Sequence, residues 1–221
     1  VTTAQLVRGV VLSGTGGVWQ VRTETGDTIE ASLRGRLKKS DSGKRADGSL
    51  RRDTIAAAVD RPKLAVGDDV RLEPGSRGEA WAIAEILPRR SKLARRAPGG
   101  GFGERIVAAN VDQVVVVFAT AKPEPHPRML DRFLVIAEAN ELAAQVIVNK
   151  VDLTSELSAR ERFVAYERAG YPVHFTSVKT GGGIDSVRAM LSGRRSVLTG
   201  PSGVGKSSLL NALFPGADLR V

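Results

Sequence analysis

The sequence predicts an α/β chain of two parts, a small antiparallel β-barrel followed by a domain with a parallel sheet. Two rhythms carry that reading. From Val7 to about Leu87, short alternating or β-branched runs are broken by glycine turns, the pattern of a compact barrel. Beyond residue 108, apolar strand runs alternate with amphipathic helical stretches, which calls for parallel strands with helical crossovers. At 221 residues the chain can bury a core in each part.

The barrel strands are expected in "VRGVVLS", "GVWQVRT", "GDTIEASL", "GDDVRLEP" and "EAWAIAEIL". Between the third and fourth runs, "RGRLKKSDSGKRADGSLRRD" is too polar and too rich in Gly and Ser to offer a buried face, so a long exposed loop is expected around 38–61. Trp19 and Trp81 fall inside strand runs and are expected to pack the barrel, with base stacking as the alternative use of an exposed indole. A basic stretch, "LPRRSKLARRAPGGGFGERIVAAN", loses periodicity around a glycine run and reads as a linker. The expected division is therefore a barrel at 1–88, a linker at 89–108 and the α/β domain at 109–221.

In that last part "VDQVVVVFA" reads as a buried strand and "RMLDRFLVIAEAN" as a helix. "AQVIVN" follows as a strand, then "SARERFVAYERAG" as a helix with a Ser158–Glu161 capping box and a closing Gly170. "PVHFTS" is a strand, "IDSVRAML" a short helix, "RSVLTG" a strand and "KSSLLNALF" a helix. Ligands of such sheets bind beyond the carboxyl ends of the strands.

Composition narrows the partners. Lys and Arg total 33 against 24 Asp and Glu, a formal net charge of +9, which favours an acidic partner such as nucleic acid. No apolar run approaches the roughly 20 residues that span a bilayer. The start, "VTTAQLVRGV", lacks a signal-peptide pattern, and with no cysteine the chain has neither disulfide nor thiolate metal site. A cytoplasmic, monomeric protein without membrane attachment is expected. His126 and His174 are the only histidines and lack the spaced partners of a metal site.

Gly200 to Ser207 fits G-x-x-x-x-G-K-[ST] between an expected strand and an expected helix. Through Gly200, Pro201, Ser202, Gly203, Val204, Gly205, Lys206, Ser207 and Ser208 the backbone would curl its amides toward phosphate oxygens. Lys206 would place its charge near the terminal phosphates, and the Ser207 hydroxyl would ligate Mg2+. Some distance upstream, Asn149, Lys150, Val151 and Asp152 stand at a strand's carboxyl end as "NKVD". A carboxylate there accepts from the ring N–H and exocyclic amine of guanine, whereas adenine offers a lone pair and nothing. "FTSVKTGGG" supplies a further strand end, where Ser177, Val178 and Lys179 could support the base. GTP is the expected ligand.

The order is base reader, base support, phosphate loop, the reverse of an ordinary GTPase. A parallel sheet builds its site from several strand ends, so the pocket survives when old termini are joined and new ones opened at the surface. The order therefore reads as a circular permutation, with both switch regions expected after Leu210.

The barrel, the stretch "RIVAANVDQVVVVFA", and the motifs "VIVNKVDL", "FTSVKTGGG" and "TGPSGVGKSSLLNALFPGADLRV" together resemble the circularly permuted, ribosome-dependent GTPase family RsgA, also called YjeQ. The resemblance spans nearly the whole chain. It implies an OB-fold barrel, a permuted P-loop GTPase domain, and action late in maturation of the small ribosomal subunit, with binding to its rRNA and GTP hydrolysis to GDP. It also implies a first switch, a "DTPG" segment, a second switch and a C-terminal zinc domain, none of which is in this sequence, so the chain is expected to be a truncated form of a longer protein. Catalytic water-positioning residues are not named by it, and zinc belongs to that further domain. Two other readings stand beside it: a nucleotide-gated RNA-binding module that does not hydrolyse GTP, and a P-loop ATPase if "NKVD" is accidental. The basic residues of 38–61 and 89–105 support RNA contact through phosphates.

Overall fold

The computed structural model describes residues 6–34, 64–75, 81–96 and 104–216. The loop expected at 38–61 and the glycine run at 99–103 lie outside the described residues. Contacts divide the chain into two compact units, one of Val1–Lys92 with Arg96–Asn110 and one of Leu93–Arg95 with Val111–Val221.

In the first unit, β1 (Val7–Thr15), β2 (Val18–Thr23), β3 (Thr28–Leu33), β4 (Asp69–Glu73) and β5 (Trp81–Ile86) close into a barrel in the order β1-β2-β3-β5-β4. Alternate residues turn inward, so Val11, Val21, Ala31, Val70, Leu72 and Ile83 form its buried core. One pairing departs from the antiparallel expectation: β3 runs parallel to β5, from Ala31 opposite Trp81 to Leu33 opposite Ile83. Parity requires this, because a closed ring with an odd number of strands cannot alternate direction at every neighbour. Trp19 and Trp81 are half-buried and pack against the core. Gly14, paired with Trp19, leaves room for the indole to lie across β1, where any Cβ would strike the ring.

The segment read as a linker is more ordered than its composition suggests. β6 (Lys92–Arg96) and β7 (Glu104–Ala109) form a two-stranded sheet. Just before β6, the Arg89 guanidinium donates to both oxygens of the fully buried Asp68 carboxylate, at 2.6 and 2.7 Å, and Asp68 also accepts from the Ala65 amide at 2.8 Å. Asn110 donates from Nδ2 to the Gly67 carbonyl at 2.9 Å and accepts from the Arg90 amide at 3.0 Å. These residues serve as buried polar anchors, a use that a count of basic side chains does not reveal.

The second unit carries a parallel sheet in the order β10-β9-β8-β11, made of β8 (Gln113–Ala119), β9 (Ala143–Asn149), β10 (Val173–Phe175) and β11 (Ser196–Thr199). Every residue of β8 is buried, as expected of a central strand covered on both faces. Helices α3 (Ile184–Leu191) and α4 (Lys206–Leu213) cover Val115, Val117 and Ile147. Helices α1 (Pro127–Glu138) and α2 (Glu156–Arg168) lie over the other face, where Leu130, Phe163 and Phe118 are all buried. Pro127 opens α1 at a position that needs no amide donor. α2 begins earlier than its expected capping box: the cap is Ser155, whose hydroxyl accepts from the Ser158 amide at 3.2 Å, so Ser158 and Glu161 lie inside the helix. Ser155 stands in extended backbone just after a 3-10 turn at Val151–Leu153, the conformation a capping residue needs. Gly170, at φ 94°, follows the last turn as expected. Arg188 of α3 donates to the Leu213 and Ala212 carbonyls and so satisfies the end of α4.

Near the amino ends of these strands a chain of polar side chains crosses the whole sheet. His174 Nε2 lies 2.9 Å from Gln145 Oε1, Gln145 donates to Gln113 at 2.6 Å, and Gln113 donates to Ser196 at 2.8 Å. Since Gln145 Nε2 is committed to Gln113, its Oε1 must accept, which places a proton on His174 Nε2. One slip in register would break the chain, so it helps align all four strands. Burial pushes the His174 imidazole below its ordinary value of 6.5. The unfolded chain therefore binds that proton more readily, and stability is present above the ordinary value and lost as pH falls toward the native one. Urea denaturation from about pH 7.5 to about pH 5 should show this loss, and His174→Gln, which retains a donor, should make the slope shallower.

Candidate nucleotide-binding site

The carboxyl ends of β9, β10 and β11 converge, and the three sequence motifs sit on them. The loop from Gly200 to Gly205 leaves β11 and enters α4, with Gly200 at φ 142°, Gly203 at 78° and Gly205 at 93°. Two of these glycines are required by contact as well as by conformation. A Cβ on Gly200 would collide with the Val117 carbonyl oxygen, and one on Gly205 would lie 2.6 Å from Asn149 Nδ2. A loop of this shape directs successive N–H groups, with the first turn of α4, toward one point, which suits phosphate oxygens.

Lys206, the first residue of α4, is half-buried, and its ammonium donates to the Gly200 carbonyl at 2.9 Å and the Pro201 carbonyl at 2.6 Å. Burial lowers its pKa from the ordinary lysine value. Ser207 and Ser208 are half-buried on the same turn, Val204 is buried in the core under α4, and Ser202 is exposed at the loop's tip. Among the described residues no group of three or more His, Cys, Asp or Glu side chains could hold a metal. The donor set still fits magnesium, which is commonly held by one or two protein oxygens with phosphate and water completing the shell. It does not fit zinc.

Asn149 is buried at the end of β9 and ties the motifs together. Its Nδ2 donates to the Val204 carbonyl at 3.0 Å, inside the glycine loop, while its Oδ1 accepts from the Thr176 hydroxyl at 3.1 Å, at the end of β10. Lys150 turns the chain in the left-handed conformation, at φ 61°. Its ammonium donates to the Gly203 carbonyl at 2.6 Å and the Lys122 carbonyl at 2.5 Å. Asp152, exposed on the 3-10 turn, accepts from the buried Ser177 hydroxyl at 2.6 Å, and Ser177 in turn accepts from the Thr180 amide at 3.2 Å. That leaves the carboxylate oriented by a neighbour and still presented outward. Val178 packs on the core and Lys179 is exposed.

Three contributors were not evident from the motifs. Thr120, fully buried at the end of β8, donates to the Lys150 carbonyl at 2.7 Å, and its amide donates to the Asn149 carbonyl at 3.0 Å. Lys122 supplies the carbonyl just described, and Thr176 orients Asn149. The two threonines, at the ends of "VVVVFAT" and "HFT", offered a signal, because a hydroxyl at a buried strand end needs a partner.

A family described as RsgA GTPase matches residues 86–221. The chain belongs to that family. It is 56% identical over 213 residues to the small ribosomal subunit biogenesis GTPase RsgA of Gemmatimonas aurantiaca, an overlap of 96% of this chain and 64% of that relative. The protein of the same name from Azotobacter vinelandii is 44% identical over 163 residues, covering 72% of this chain and 46% of the relative. The chain thus spans less than two thirds of the length of these relatives. Among solved structures, YjeQ from Thermotoga maritima superposes with a TM-score of 0.72 at 36% identity, over 97% of this chain and 67% of that one. YloQ, described as a circularly permuted GTPase, superposes with a TM-score of 0.65 at 24% identity, over 96% and 66% of the two chains, and shares the fold. The permuted order β9, β10, β11 seen here is the family's architecture.

Thr176→Val keeps the shape of the side chain and deletes the donor to Asn149 Oδ1. A buried acceptor left without its partner costs about 1–3 kcal/mol. Urea denaturation should therefore show a loss of about 1–3 kcal/mol with an unchanged circular dichroism spectrum; unaltered stability would remove the Thr176–Asn149 bond from what holds these strand ends together.

Proposed function

We propose that this chain binds GTP and GDP with Mg2+ and forms part of an enzyme that hydrolyses GTP while acting on the small ribosomal subunit late in its maturation. The carrying observation is the pair of bonds from Asn149 to Val204 and from Lys150 to Gly203, which hold the base-reading turn against the phosphate loop. In this reading the guanine edge meets Asp152, with Ser177, Val178 and Lys179 along the base and Val151 in the turn. The triphosphate lies in the loop from Gly200 through Pro201, Ser202, Gly203, Val204 and Gly205 to Lys206, Ser207 and Ser208. Nucleotide phosphates take over the Lys206 ammonium from the Gly200 and Pro201 carbonyls. The Ser207 hydroxyl would hold the magnesium ion, which would neutralise phosphate charge. Positioning and electrostatic stabilisation supply most of the rate in phosphoryl transfer, and this loop contributes both.

The relatives' name, small ribosomal subunit biogenesis GTPase, is what brings the subunit into the reading. The net charge of +9 supports contact with its rRNA. We assign the barrel at 1–88 to RNA binding, the basic stretch at 89–108 to the connection and 109–221 to the nucleotide. Among the described residues no helix is long and apolar enough to cross a membrane. The proposed work on ribosomal subunits is what supports a cytoplasmic location.

Calorimetric titration with GTP, GDP and ATP in magnesium should show guanine-specific binding. Asp152→Asn should lower GTP affinity by about a hundredfold, since an amide then faces the guanine donors with a donor of its own; undiminished preference for GTP would overturn the base-site assignment. Phosphate release should rise when small ribosomal subunits are added to the full-length protein, and a rate indifferent to subunits would contradict the ribosomal role.

A further inference from the structure

The loop from Ala121 to Pro125, which joins β8 to α1, supplies the Lys122 carbonyl that accepts from the Lys150 ammonium at 2.5 Å. From the same nitrogen Lys150 donates to the Gly203 carbonyl at 2.6 Å, and Pro123 stands beside Gly203. The position of Lys150 against the phosphate loop therefore depends on where the Lys122 carbonyl is held. The loop does not hold it alone. Pro123 and Pro125 lack an N–H, and among the described residues no backbone–backbone hydrogen bond is made from Ala121 to Pro125.

Arg162, on α2, provides the missing tie. Its Nη1 donates to the Thr120 carbonyl at 3.2 Å and to the Glu124 carboxylate at 2.6 Å, so one nitrogen joins the start of the loop to its far side. Thr120 is fully buried, and its amide and hydroxyl are already committed to the Asn149 and Lys150 carbonyls. Its own carbonyl still needs a donor, which the guanidinium supplies. Phe163, the next residue on α2, is 3% exposed, and its burial fixes the turn that carries Arg162. The Arg162 and Glu124 side chains are 42% and 64% exposed, and a pair so open to water adds little stability. Its effect is on position.

We propose that Arg162 is a positioning residue for Lys150: by bridging Thr120 and Glu124 it sets the Lys122 carbonyl, which sets the Lys150 ammonium against the phosphate loop. Arg162 acts through these groups and does not itself touch the nucleotide. A binding site is only as exact as the residues that support those in contact with the ligand. The consequence for nucleotide affinity rests on the function proposed above, whereas the path from Arg162 to Lys150 does not.

Arg162→Met keeps the aliphatic stem and removes both bonds. Calorimetric titration with GDP in magnesium, at a temperature where circular dichroism shows the variant folded, should give an affinity lowered about fivefold or more. Arg162→Lys again offers one nitrogen to the same two oxygens and should stay within about twofold of the original affinity. Tyr166→Phe removes the bonds from α2 to Asp131 and the Pro127 carbonyl and leaves those to the loop, so it should lower stability without changing affinity. In isotopically labelled protein without nucleotide, Arg162→Met should shift the amide signals of Lys150 and Gly203, and Arg162→Lys should restore them. Unchanged affinity in Arg162→Met, an equal loss in Arg162→Lys or in Tyr166→Phe, or unshifted amides at Lys150 and Gly203 would each overturn the proposal. If the unsubstituted chain bound no guanine nucleotide, the function proposed above would fall instead, and the amide shifts would decide whether Arg162 sets Lys150.

Discussion

The buried side chain of Asn149 is the constraint on which the candidate site depends. Its two ends are committed in opposite directions, to the glycine loop and to the end of β10, so the strand ends cannot drift independently. Because the side chain sits at 2% exposure, neither bond can be exchanged cheaply for water. Thr120 and Lys150 extend the same logic to β8 and to the loop beyond it. The result is a set of loops that owe their shape to one another.

Such mutual support is what a permuted chain needs. In this order the base-reading strand is made well before the phosphate loop, and no local segment joins Asn149 to Val204. Their proximity comes from register alone: β8 lies between β9 and β11, with Val116 opposite both Val146 and Thr199. At the amino ends of the strands, the chain from His174 through Gln145 and Gln113 to Ser196 holds that register by directional bonds. At the carboxyl ends, Asn149 and Thr120 hold it again. A sheet fixed at both ends presents its loops with little freedom, which is how pre-organised sites are made.

The barrel shows another kind of constraint. Five strands closed in a ring impose one parallel pair, and β3 with β5 is where it falls. Asp68 with Arg89, and Asn110 with Gly67, then fasten the following segment through buried polar groups. A buried carboxylate joined to a guanidinium by two bonds is stable only with its partner in place, so this pair specifies one conformation more than it adds net stability.

Periodicity and motif spacing were enough to determine the two-part α/β plan, the barrel strands, the strands and helices of the parallel sheet and the permuted order of the motifs, whereas β6 and β7 lay in a stretch read as a linker. These are local properties: a buried strand is apolar along most of its length, a tight loop is glycine-rich, and a helix shows one apolar face. Tertiary structure decided what local signals do not encode. Ser155 rather than Ser158 caps α2, and Arg89 and Arg90 serve as anchors because Asp68 and Asn110 come to them from afar. Thr120, Lys122 and Thr176 enter the site because the sheet sets their strand ends beside β9. A hydrogen bond between residues tens of positions apart leaves no period in the sequence, so only the fold reveals it.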